Sequence, residues 1–227
     1  MKLAVLYSGG KDSNYALYLA QKHGHDVGCL VSMKSKNQES YMFQTPGNDF
    51  VSLQAECLDI PLIHFETSGE KESEVEDMKA ALKQAKEEYG IEGVVSGAIK
   101  SAYQGQRVQR VCFELGLECY NPLWQINEEE FIESLLKDQF DIRIIGVFSY
   151  PLDSSFLGKK YDFSMYEKFK KMNETFDVSL IGEGGELETF IVDGPNFKKK
   201  IFLEGTPEMD SENSGIINIS KCEVVEK

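Results

Sequence analysis

The sequence predicts an α/β protein: a parallel five-stranded sheet flanked by helices, followed by a smaller α+β segment. Three observations carry this. Up to Tyr120, apolar runs of strand length alternate with amphipathic stretches of helix length. A Gly-Gly pair stands where the first run meets the first helix. Beyond Asn121-Pro122 the alternation gives way to an irregular order of helices and strands.

The first apolar run, residues 2–7, ends in Ser8-Gly9-Gly10, and Tyr15, Leu17, Tyr18 and Leu19 then place a helix that closes near Gly24. Residues 27–33 and 61–65 read as the second and third strands, with a helix over 50–58 between them. Over 72–89, Val75, Met78, Leu82, Ala85 and Tyr89 recur at helical spacing, with acids in the first turn and Gly90 past the end. A fourth strand (91–97), a helix (103–115) and a fifth strand (117–120) complete a first domain, 1–121. The second, 122–227, reads as helix 128–139, strand 142–148, helix 163–176, and strands at 189–192, 200–203 and 216–225.

With 227 residues, 41% hydrophobic and 27% charged, the chain is long enough to bury a core. A formal net charge of -14 repels phosphate backbones, so broad nucleic-acid binding is unlooked for. The chain shows neither a signal-peptide pattern nor a membrane-length apolar run, which predicts a cytoplasmic protein with no membrane partner. Its five cysteines, Cys29, Cys57, Cys112, Cys119 and Cys222, are odd in number and contain no C-x-x-C pair, which argues against zinc and disulfide frameworks. Oligomeric state is open, a homodimer included.

The strongest local signal is Ser8-Gly9-Gly10-Lys11-Asp12-Ser13 between the first strand and first helix. Adjacent glycines let backbone N–H groups converge, and the helix N-terminus behind them adds about half a positive charge. The loop is not a Walker A: Val5 stands where the first glycine is required, and Asp12 follows Lys11 where Ser or Thr is required. A plain βα turn is the bland alternative. Read for function, Ser8 and Ser13 offer hydroxyls, Lys11 adds charge, and Asp12 holds Mg²⁺ against phosphates.

The hexapeptide resembles the signature of the PP-loop ATP pyrophosphatases. That resemblance implies a Rossmann-like, doubly wound sheet of order 3-2-1-4-5 and cleavage of ATP to AMP and pyrophosphate. It would set Gly97-Ala98-Ile99-Lys100-Ser101 opposite the first loop and put Ser32 and Met33 at the adenine edge.

Further motifs narrow the family. They are Glu39-Ser40-Tyr41-Met42-Phe43, Gln54-Ala55-Glu56, Gly97 to Gln104 with Arg107, Pro122-Leu123-Trp124, and Gly182-Glu183-Gly184-Gly185-Glu186-Leu187-Glu188-Thr189 followed by Asp193-Gly194-Pro195. Together they resemble the diphthine-ammonia ligase family, which amidates diphthine on elongation factor 2 using ATP and ammonium. Gln44 departs from an expected histidine, and Leu187 from an expected aromatic.

The resemblance implies nucleotide contacts at Ser8, Gly9, Gly10, Lys11, Asp12, Ser13, Ser32, Met33, Gly97 and Ala98. Catalytic roles fall on Lys11 and Asp12, with Lys100 or Arg107 neutralising the α-phosphate. Substrate contacts fall on Ser101, Tyr103, Gln104, Glu183, Gly184, Gly185, Glu186 and Glu188; the acids, with Tyr103 or Trp124, would meet diphthine's trimethylammonium group. Solvated charge is the bland reading of those acids. Because a carboxylate has no good leaving group, an acyl-adenylate is the expected intermediate. Only His23, His25 and His64 are present, so no attached glutaminase is evident and free ammonium is the expected donor. The rivals are a PP-loop enzyme that adenylates tRNA bases and a non-catalytic ATP sensor.

Overall fold

The structure is a computed structural model that describes residues 1–35, 47–67 and 71–227. Its first half runs β1 (Lys2–Leu6), α1 (Lys11–Lys22), β2 (Asp26–Ser35), a 3₁₀ turn (Asn48–Phe50), α2 (Val51–Leu58), β3 (Leu62–Thr67), α3 (Lys71–Tyr89), β4 (Gly93–Val95), α4 (Ala102–Leu115) and β5 (Glu118–Tyr120). All pairings in this sheet are parallel, and the strand order is β3-β2-β1-β4-β5. The doubly wound order is therefore the expected one. The direction of winding reverses between β1 and β4, which opens a crevice beyond their C-terminal ends.

Period-two alternation distributes β1 between two apolar layers. Leu3 and Val5 join one cluster with Ala16, Leu17 and Ala20 of α1 and Val51, Ala55 and Leu58 of α2, while Ala4 joins Met78, Leu82 and Ala85 of α3 and Val108 and Val111 of α4. Helix ends follow local chemistry. Ser101 caps α4 by accepting from the Gln104 N–H at 3.3 Å, and Gly116, at φ 60°, ends it.

The second half contains α5 (Glu128–Lys137), β6 (Asp141–Val147), α6 (Phe163–Phe176), β7 (Leu187–Asp193), β8 (Lys200–Ser211) and β9 (Ser214–Val225). Its strands form an antiparallel sheet in the order β7-β6-β9-β8. Several boundaries shift from expectation by one or two residues, as at β4 (93–95 against 91–97), β7 (187–193 against 189–192) and β9 (214–225 against 216–225), and two further shifts have a local cause. Helix α5 stops at Lys137 because Gln139 adopts a φ of 64°, outside the right-handed helical region. Strand β8 runs to Ser211, well past 203: its outer half is almost entirely exposed and contains Pro207, which an edge strand accepts.

The larger apolar cluster does not stop at residue 121. Phe131, Leu135 and Phe140 and the β6–β7 residues Ile142, Ile144, Phe190 and Ile191 belong to the same cluster as β1, α1 and α2. Tyr15 of α1 meets Phe131 and Phe140 edge-on, with ring centroids 5.6 and 5.8 Å apart. Among the described residues no helix is long and apolar enough to cross a membrane.

Candidate active site

The turn between β1 and α1 is held from below by polar side chains inside the apolar cluster. Gly9 takes a φ of 84°, which its lack of a Cβ permits. Its carbonyl accepts from Asn14 Nδ2 at 3.1 Å, Gln54 Nε2 at 2.9 Å and the Ile191 N–H at 3.1 Å. Gln54 Nε2 also donates to the Ile191 carbonyl at 2.7 Å, and the Lys11 N–H donates to Thr189 Oγ1 at 3.2 Å. Strand β7 thus fastens the turn from the other half of the chain. Gln54 is fully buried, so Gln54→Leu should destabilise the protein by about 1–3 kcal/mol, read from the urea midpoint.

Helix α1 begins at Gly10 with no side-chain cap. The cap residue therefore takes none of its leading N–H groups, and that of Lys11 goes to Thr189. Ser8 Oγ and Ser13 Oγ lie 3.2 Å apart, and Lys11 Nζ sits 3.0 and 3.1 Å from the two Asp12 carboxylate oxygens. The cleft above has a volume of about 220 Å³ and is lined by Tyr7, Ser8, Asp12 and Ser13 on one side and by Ser96, Gly97, Ala98 and Gln104 on the other. Met33, Asn48 and Glu188 also line it, with apolar Leu6, Val31 and Val108. An uncapped helix start, two hydroxyls, a cation and a partly exposed carboxylate suit a polyphosphate accompanied by a divalent ion.

Several residues expected at the site are here, and others are not. Gly97 presses on the first loop: a Cβ there would lie 2.9 Å from the Asp12 carbonyl carbon and 3.0 Å from the Ser13 nitrogen. Met33 lines the cleft, but its carbonyl already accepts from Asn48 Nδ2 at 2.8 Å, and the Ser32 hydroxyl, fully buried, lies 3.3 Å from Asn48 Oδ1. Lys100 points away, with Nζ 2.5 Å from Glu128 Oε1 on α5. Arg107 stacks on Tyr103, 3.4 Å from the ring centroid, and donates to the Tyr103 carbonyl at 3.3 Å. Trp124 packs on Gly105, where a Cβ would lie 3.1 Å from the indole. Residues 39–43 and Gln44 lie outside the described residues.

The three acids of the glycine-rich turn diverge. Gly182 and Gly185, at φ 75° and 82°, close the turn through a Gly185 N–H to Gly182 carbonyl bond of 3.0 Å. Glu183 Oε2 accepts from the Lys100 N–H at 3.2 Å, and Glu186 folds back over Gly184 to accept from the Ser179 N–H at 3.2 Å. Only Glu188 enters the cleft. Burial pushes the carboxyls of Glu183 and Glu188 upward. Glu128 behaves oppositely: burial alone would raise it, but hydrogen bonds from Lys100, Ser179 and the Leu180 N–H outweigh burial and hold it below its ordinary value.

For Glu188 the effect is large. Burial carries the carboxyl from 4.5 to about 7, with the Lys11 charge opposing and the Asp12 charge assisting. A folded-state value above the unfolded one means that ionising this group costs stability. The cost is nil below the unfolded value, grows as pH rises, and is complete above about 7. Glu188→Gln should therefore stabilise the unliganded protein by about 3 kcal/mol near pH 8 and by almost nothing near pH 4. Urea midpoints of both proteins across that range measure it.

Sequence reasoning missed Asn48 and the roles of Tyr7, Asn14 and Thr189. Tyr7 Oη donates to Asn14 Oδ1 at 2.7 Å, and Asn14 in turn holds the Gly9 and Gly10 carbonyls. The available signal was a polar residue within otherwise apolar helix faces, as at Asn14 and Gln54.

Known proteins are similar to this chain along nearly its whole length. The family model "Diphthamide synthase N-terminal domain" matches residues 1–119, and "Diphthamide synthase C-terminal domain" matches residues 127–225. The diphthine–ammonia ligases of Bos taurus and Homo sapiens are each 36% identical to it, with 91% of this chain and 84% of their own length covered. That of Danio rerio is 34% identical, covering 91% of this chain and 88% of its own length. A solved chain described as a "predicted subunit of tRNA methyltransferase" from Methanocaldococcus jannaschii superposes with a TM-score of 0.47 at 16% identity, covering 86% of this chain and 98% of that one. With both family models matched and a third of the residues shared across nine-tenths of its length, this chain belongs to the diphthine–ammonia ligase family.

Proposed function

We propose that the chain activates the carboxyl of diphthine on elongation factor 2 as an acyl-adenylate and converts it to the amide with free ammonium, releasing AMP and pyrophosphate. The observation that carries this reading is the uncapped start of α1 behind Gly9-Gly10, with Lys11 and Asp12 beside it, at the crevice where the strand order reverses. In this reading Ser8, Gly9, Gly10, Lys11 and Ser13 hold the β- and γ-phosphates, and Gly97 and Ala98 face the nucleotide from the β4 side. Asp12 would hold Mg²⁺, which neutralises charge on the departing pyrophosphate. Met33 and Asn48 border the base. Lys100 and Arg107 take no part at the α-phosphate unless they leave Glu128 and Tyr103.

Residues 1–121 serve mainly the nucleotide, and residues 122–227 mainly the protein substrate, which works in the cytoplasm. The Glu183–Glu186 turn, with Tyr103 and Ser101 on the facing α4, is suited to diphthine's trimethylammonium group through carboxylates and an aromatic face. Glu186→Gln is then expected to weaken binding of diphthine-bearing elongation factor 2 by about 5-fold while changing ATP affinity less than about 2-fold. Paired titrations of the two ligands measure the difference, and equal losses would count against this assignment.

The central test is to incubate the protein with ATP, Mg²⁺, ammonium and diphthine-bearing elongation factor 2. The expected result is an amide mass shift matched by AMP and pyrophosphate. ADP with orthophosphate would overturn the reading. Glutamine as sole nitrogen donor should give no product.

A further inference from the structure

Amidation sets a requirement that the nucleotide loop does not meet. Ammonium has no lone pair, so it must lose a proton beside the activated carboxyl before nitrogen can attack. The site therefore needs an anionic group that attracts a small cation, accepts a proton, reaches the nucleotide cleft and is not already committed.

Few groups qualify. Among the described residues, the ionisable ones lining the cleft are Tyr7, Asp12 and Glu188. Tyr7 donates its hydroxyl to Asn14, and burial pushes its phenol far above neutrality. Asp12 is paired through both oxygens with Lys11. Glu183 and Glu186 are engaged by backbone N–H groups of Lys100 and Ser179. The histidines are elsewhere: His23 and His25 pack on Tyr120 of β5, and His64 lies on β3. Of the ionisable residues lining the cleft, Glu188 is the one that makes neither a hydrogen bond nor an ion pair with the described residues.

Its position is also fixed. Glu188 stands in β7 opposite Gly146 of β6, and its neighbour Thr189 holds the Lys11 N–H. A Cβ at Gly146 would lie 2.8 Å from the Phe148 ring and 3.1 Å from Glu188 Cβ, so glycine lets the ring pack against β6 close to the stem of the acid.

We propose that Glu188 is the ammonium site of this enzyme, binding the cationic donor in the cleft and accepting one of its protons. The proposal rests on the ligase reading above. One N–H bond of ammonium breaks and its proton passes to the Glu188 carboxylate. The lone pair left on nitrogen forms the C–N bond to the acyl carbon, and the C–O bond to the adenylate phosphate breaks with its electron pair leaving on AMP. Nitrogen then loses a second proton to solvent, giving amide, AMP and two protons. The charges facing Glu188 are Lys11 and Asp12 of α1.

The test uses Glu188→Gln, with Glu188→Asp as the conservative companion, on the full chain with diphthine-bearing elongation factor 2. Three rates are measured: ATP–pyrophosphate exchange without ammonium, amide formation against ammonium concentration, and hydroxamate formation with hydroxylamine, which is uncharged at neutral pH. Glu188→Gln should keep exchange within about 2-fold, lose about 10²-fold or more in kcat/KM for ammonium, and keep hydroxylamine turnover within about 5-fold; Glu188→Asp should recover part of the ammonium rate. Parallel loss of exchange would assign Glu188 to ATP or its metal and overturn the proposal. So would equal loss with both nucleophiles, or unchanged ammonium kinetics. Failure of the unaltered enzyme to catalyse exchange would instead remove the ligase reading itself, and that result needs no variant.

Discussion

Lys11→Met should lower the rate of pyrophosphate release by about 10³-fold, the largest effect expected from any single change in this chain. The side chain of Lys11 is 6% exposed, and its ammonium is held against both Asp12 oxygens at the start of α1. Without it, Asp12 presents an uncompensated negative charge where a polyanionic substrate must settle, in a chain whose formal net charge is already -14. Two losses follow, and they separate. The unpaired Asp12 costs folding stability, so Asp12→Asn added to Lys11→Met should raise the urea midpoint again. It should recover none of the activity if, as proposed, Lys11 supplies the cation at the departing pyrophosphate. Pyrophosphate release and urea melts on the two variants measure both.

Gly97→Val should reduce kcat/KM for ATP by about 10²-fold. The added side chain meets the Asp12 and Ser13 backbone, with the Asp12 carbonyl oxygen 3.1 Å from the Cβ position, and backbone does not yield by changing rotamer. The β4 and β1 loops must then separate, and displacement of about 1 Å between groups that grip one ligand is enough for a loss of this size. Gly97→Ala should follow the same direction with a smaller change. Calorimetric ATP titration and pyrophosphate exchange check both.

Much of this molecule was legible before its structure. Helix α3 was readable because Val75, Met78, Leu82 and Ala85 keep strict spacing, and the sheet because each strand is followed by a helix of crossover length. The loop at Ser8 was readable because strand, glycines and helix are contiguous. What failed was non-local. Nothing near Lys100 announces that Glu128 will capture its amine, and nothing near Arg107 distinguishes a phosphate ligand from a guanidinium lying on Tyr103. Glu183, Glu186 and Glu188 look equivalent as letters on a turn, yet glycine geometry sends two to backbone donors and one into the cleft. The outer half of β8 was hidden for another reason: its ladder partner β9 supplies the pairing, while its own exposed residues supply no apolar signal.

The fastening of Gly9 by Ile191 and Gln54 has an evolutionary consequence. Enzymes that carry recognition on a detachable module acquire new clients by exchanging that module and leaving the chemistry alone. Here a graft replacing β7 would remove a support of the Gly9 turn itself, so the second half of the chain cannot be exchanged without disturbing the first.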